Sequence, residues 1–157
     1  MTKELRRERA DQLAAYMRAH SKNFHMAEVT FCYDETPWGS LLENVANIKR
    51  RIDENWCGTT CCIAGYAVCL FGEPTDRISM TKAAELLGLS GHCYEGIAGM
   101  LFVPAYKVQL AEHGFPMDHH MGNTDIEVAI EALYNAVRLQ EELEEQGLGG
   151  ITYAIRR

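Results

Sequence analysis

From Cys61 to Phe71 the chain is apolar on every side: Cys61, Cys62, Ile63, Ala64, Gly65, Tyr66, Ala67, Val68, Cys69, Leu70, Phe71. A helix at a protein surface keeps one polar face. A helix with none must be wrapped by other elements, so this segment obliges the rest of the chain to enclose it. The run is far shorter than the roughly 20 residues that span a bilayer, which points to enclosure by protein rather than lipid. Cys61, Gly65 and Cys69 fall four apart and form a thin ridge where another helix can approach closely. The expected central helix covers about 59–71, and Gly72-Glu73-Pro74 ends it.

The enclosing elements follow from hydrophobic period. Residues 3–20 read as a helix with Leu5, Leu13, Tyr16, Met17 and His20 near one side and charges crowded into its first two turns. Ser40, with Glu43 three residues on, makes a capping box for a helix striped by Leu41, Val45, Ile48 and Ile52. Thr81 to Leu87 is a short helix closed by Gly88. Ser90 caps another, with Tyr94, Ile97, Ala98 and Leu101 inward. Thr124 and Glu127 open a long last helix on Ile126, Ile130, Leu133 and Val137, and Gly147 stops it. Two segments alternate with period two, 27–33 and 151–155, and are expected to pair as a small two-stranded sheet. The predicted fold is therefore mainly α: a single-domain bundle, 1–157, around the buried helix at about 59–71.

The formal charge of −7 lacks the dense basic surface of a general phosphate-backbone binder. The first residues, Met1 to Arg7, lead into a charged helix rather than the apolar stretch of a secretion signal. A cytoplasmic protein is expected, with the six cysteines (Cys32, Cys57, Cys61, Cys62, Cys69, Cys93) kept mainly reduced and no membrane span.

Four constellations could carry function. In Trp56-Cys57-Gly58-Thr59-Thr60-Cys61, a thiol at a helix start would sit where backbone N–H groups favour the thiolate. Cysteine nucleophiles of the papain type also head a buried helix, with a Cys-Gly-Ser-Cys-Trp flavour. Here the second cysteine lies four positions on and is followed by another cysteine. Such a nucleophile needs a histidine base. His92, His113, His119 and His120 all follow in sequence, and His92 is the working choice beside Cys57 or Cys61. The plain alternative is that both thiols are small core residues. A thiolate–histidine zinc site would combine Cys57 and Cys61 with His92-Cys93 or His119-His120, but paired zinc spacings do not recur in the sequence. No metal ligand and no cofactor are assigned.

Met80 to Ser90 resembles the first helix and turn of helix-turn-helix DNA readers. The following Gly91-His92-Cys93-Tyr94-Glu95-Gly96-Ile97-Ala98-Gly99 has no Arg or Lys, so a nucleic-acid partner is not expected. The fourth constellation is Glu141-Glu142-Leu143-Glu144-Glu145. Its negative charge at a helix C-terminus opposes the dipole and leaves room for a basic partner surface.

Trp56-Cys57-Gly58-Thr59 and the following Cys61-Cys62-Ile63-Ala64-Gly65-Tyr66-Ala67 resemble a W-C-G-T-x-x-C-x-A-G-type motif of small uncharacterised bacterial and bacteriophage proteins, which read Trp-x-Cys-Gly-Thr-x-x-Cys-x-Ala-Gly or close to it. Ala83-Ala84-Glu85-Leu86-Leu87-Gly88-Leu89, Leu101-Phe102 and the helix from Thr124 continue the likeness over about 55–137. Trp56 standing directly against Cys57 departs from it. The resemblance implies a bacterial or phage setting and supplies no mechanism. Three readings stay open: an interaction protein acting on a host factor if phage-encoded, a cysteine-dependent enzyme, and a structural zinc-site protein. Trp56, Gly58 and Thr59 are the candidate binding residues.

Overall fold

The computed structural model describes residues 1–24, 30–32, 45–54, 59–91, 96–102 and 126–148. Among these the chain is mainly helical. Helix α1 (Lys3–Ala19) leads into a 3₁₀ turn (Ser21–Asn23). Strand β1 (Thr30–Cys32) and α2 (Val45–Asp53) follow, then β2 (Thr59–Cys61), α3 (Ile63–Phe71), α4 (Met80–Leu87), α5 (Gly96–Phe102) and α6 (Ile126–Glu145).

The apolar run behaves as its composition requires. All seven residues from Ile63 to Cys69 are buried, and α3 packs against α1, α2 and α4. Each fully buried aliphatic side chain there is worth roughly 1.5–3 kcal/mol of transfer free energy. The helix starts later than the expected position 59. Thr59-Thr60-Cys61 is extended and pairs antiparallel with β1, Thr30 opposite Cys61 and Cys32 opposite Thr59. Two β-branched threonines in a row disfavour the helical state and suit a pleated strand, so the backbone turns helical only after Cys62. The period-two reading of 27–33 thus finds its strand at 30–32, paired with 59–61. The expected partner, 151–155, lies outside the described residues.

Helix α1 is capped by Thr2, whose hydroxyl accepts from the Leu5 N–H. Its buried stripe is Arg6, Ala10, Leu13, Ala14 and Met17. Leu5, expected inward, is 39% exposed, whereas Arg6 is 2% exposed. Arg6 falls one turn before Ala10 on the buried stripe, and it is tolerated there because its guanidinium is fully partnered. Helix α2 buries Val45, Ile48 and Ile52 as its period predicts. The first N–H groups of α2, at Val45 and Ala46, donate to the carbonyls of Asp76 and Pro74, so the α3–α4 turn closes a helix start that would otherwise be unsatisfied.

Ser79 caps α4 by accepting from the Lys82 N–H at 3.1 Å. Gly88 ends it in the left-handed conformation, φ 63°, a geometry that only glycine adopts without strain. Helix α6 buries Ala129, Ile130, Leu133, Ala136 and Val137 against α1 and α5, and Gly147, φ 73°, follows its end. No helix among the described residues is long and apolar enough to cross a membrane.

Candidate functional site

The residues singled out in sequence divide into three groups. Trp56, Cys57, Gly58, His92, Cys93, His113, His119 and His120 lie outside the described residues. Thr59 and Cys61 form the ends of β2. Cysteines Cys62 and Cys69 belong to the core. The helix N-terminus that the thiolate argument needed belongs to Cys62, the N-cap of α3 with φ −84° and ψ −177°, and not to Cys61. Cys62 is 1% exposed. Burial pushes its thiol up to about 11, although the backbone N–H groups of Gly65 and Ala64 pull the other way. At neutral pH roughly one molecule in ten thousand would carry the thiolate, so desolvation defeats the helix terminus at this position. Cys69 is likewise buried, on the inner part of α3.

Beside β2 the structure assembles a polar cluster that the sequence reading did not pick out. His20 is the C-cap of α1 and opens the 3₁₀ turn that packs against β2. Tyr16, one turn earlier on the same helix face, meets it in a tilted ring contact with centroids 4.6 Å apart. Asp53 ends α2 and reaches the same place. Its Oδ1 accepts from the Tyr16 hydroxyl at 2.8 Å and lies 3.8 Å from His20 Nε2, and its Oδ2 takes Lys49 Nζ at 3.1 Å. Tyr66 of α3 closes the cluster from below. Its hydroxyl donates to the His20 carbonyl at 2.5 Å, and its ring meets Tyr16 edge-on at 5.8 Å and Phe24 at 6.4 Å. His20 Nδ1 is buried without a hydrogen-bond partner among the described residues.

This geometry supports two uses. At 3.8 Å the His20–Asp53 pair is too long for a hydrogen bond and becomes an ion pair only when the imidazole is protonated. A carboxylate there can orient an imidazole that handles protons. The cluster also serves as the polar edge of an aromatic core, giving the buried Tyr66 hydroxyl its acceptor. The sequence signal for it is the four-residue spacing of Tyr16 and His20, together with Asp53 standing shortly before Trp56.

The acidic end of α6 has a partner within the chain. Glu144 takes Arg6 in a two-point pair, 3.0 Å and 2.5 Å, and Glu141 takes Arg7 likewise, 2.8 Å and 2.5 Å. Glu145 takes Lys3 at 2.6 Å and Glu142 takes Arg138 at 2.6 Å. Farther along the seam, Glu127 takes Arg18 through two bonds of 2.8 Å. The hydrogen bond and charge of Arg7 hold the Glu141 carboxyl below the usual range, and Arg18 does the same for Glu127. For Glu144 burial pushes upward, but the hydrogen bonds from Arg6 and Gln140 and the charge of Arg6 outweigh it, and the net shift is down.

A buried polar chain extends from this pair. Arg6 Nε donates to the Gly88 carbonyl at 3.0 Å, Gln140 Nε2 donates to Glu144 at 3.2 Å, and Gln140 Oε1 accepts from the Ser90 N–H at 2.7 Å. The α4–α5 corner is thereby tied to both α1 and α6. All seven residues of α5, Gly96–Phe102, are buried.

An open groove of about 320 Å³ lies along the α1–α6 seam, lined by Arg7, Asp11, Tyr134, Val137, Arg138 and Glu141. Tyr134 is 39% exposed within it and donates to Asp11 at 2.8 Å. The side chains of Arg7 and Arg138 are 64% and 59% exposed. Among the described residues no group of three or more His, Cys, Asp or Glu is placed to hold a metal ion. No protein-family model, no curated protein and no solved structure matches the chain.

Proposed function

We propose that this chain is a small non-catalytic interaction protein, acting on a host protein if it is phage-encoded, and that its helices form a bundle around α3. One observation supports the reading above the others: the α1–α6 groove is lined by an exposed tyrosine, Tyr134, together with two well-exposed arginines, Arg7 and Arg138. Tyrosine and arginine are the residue types most enriched where proteins bind one another. The described cysteines are consistent with this reading, since Cys62 and Cys69 are buried. The test is capture of a partner from bacterial lysate by the intact chain, in parallel with a Tyr134→Ala/Arg138→Ala variant. The variant should retain its melting temperature within a few degrees and lose capture. Equal capture by a well-folded variant removes the groove from the reading.

The cysteine-dependent enzyme is a second reading, supported by the His20–Asp53 pair standing on elements that pack against β2, the strand that follows Trp56-Cys57-Gly58 in sequence. Under it Cys57 or Cys61 is the nucleophile and His20 joins His92 as a candidate base. Its test is the rate of thiol alkylation at several pH values with intact-mass and peptide readout. A thiol at Cys57 or Cys61 that reacts faster than a free cysteine below pH 8, and slows in His20→Gln, supports the enzyme. Rates no faster than a free thiol at both positions overturn it. Metal analysis of the same samples decides the structural zinc reading.

A further inference from the structure

We draw no further inference here: the strongest candidate, the Tyr16–His20–Asp53 cluster where α1 and α2 end beside β2, belongs to the site already described, and nothing else in the structure points to a ligand for it.

Discussion

Helix α3 and the α1–α6 seam hold the protein together by opposite means. The inner residues of α3 are buried on all sides and make their contribution by leaving water. At the seam, α1 and α6 also bury an apolar stripe, but its margins carry Lys3–Glu145, Arg6–Glu144, Arg7–Glu141 and Arg18–Glu127. These pairs differ in burial. Lys3–Glu145 and Arg18–Glu127 stand in solvent, where an ion pair adds little net stability. Arg6 is enclosed, and a charge in that position has to be paired. Burial of apolar area therefore supplies the stability of the core. The ion pairs fix which helix end meets which, because only one register satisfies Arg6, Glu144, Gln140 and the Gly88 carbonyl together.

The largest expected effect comes from breaking the apolar side of the comparison. Ile63→Ala removes a fully buried side chain from the first turn of α3 and should lower unfolding free energy by about 4 kcal/mol in urea titrations, the transfer loss plus a cavity. A loss under about 1 kcal/mol would mean that α3 is not tightly enclosed. The next effect sharpens the polar side. Glu144→Ala leaves the Arg6 guanidinium buried without its carboxylate and should cost about 2–3 kcal/mol. Arg6→Met fills the same space with an apolar chain and leaves Glu144, 30% exposed, able to turn to water, for about 1 kcal/mol. The ordering is the test. If Arg6→Met proves the more damaging, the pair is a source of net stability rather than a device that sets register.

The two regions were also unequally legible. Period alone reveals α3 as buried and finds the inward stripes of α2 and α6, because burial of a face is a local property of spacing. Hydrophobicity alone does not mark the start of α3, because Thr59-Thr60 favour the β state and their pairing with Thr30–Cys32 depends on a distant segment. The later start moves the helix-terminal thiol to Cys62, where burial suppresses its acidity. The basic first turns of α1 and the acidic end of α6 were each visible, but Arg6 and Glu144 stand 138 positions apart, and no local pattern says that they meet. The burial of Arg6 in place of Leu5 follows from that same distant contact. His20 is expected on the inward side of the first helix, but no local pattern joins it to Asp53, and only the packing of α1 and α2 beside β2 brings them together.

The smallest effect is a dependence on acid that should belong to the seam and not to α3. Glu127, Glu141 and Glu144 have carboxyls held below their ordinary value in the folded chain. A group whose folded value is depressed binds more protons when unfolded. Its contribution to stability is therefore complete above the unfolded value, near 4.5, and is lost as pH falls through the folded one. Denaturant midpoints should hence be flat from pH 7 to about pH 5.5 as far as these groups are concerned, and decline below it. Arg7→Gln and Arg18→Gln together remove the cations that depress Glu141 and Glu127, so the double variant should show a shallower decline between about pH 5 and pH 3. Added salt should flatten the wild-type curve in the same direction, chiefly through Arg18–Glu127, which is exposed on both sides and screened, and less through Arg7–Glu141, whose carboxylate is buried. Ile63→Ala, by contrast, should shift the whole curve downward without changing its shape. If it alters the acid limb as much as the arginine variant does, the core and the seam are not energetically separable, and the division of labour between them fails.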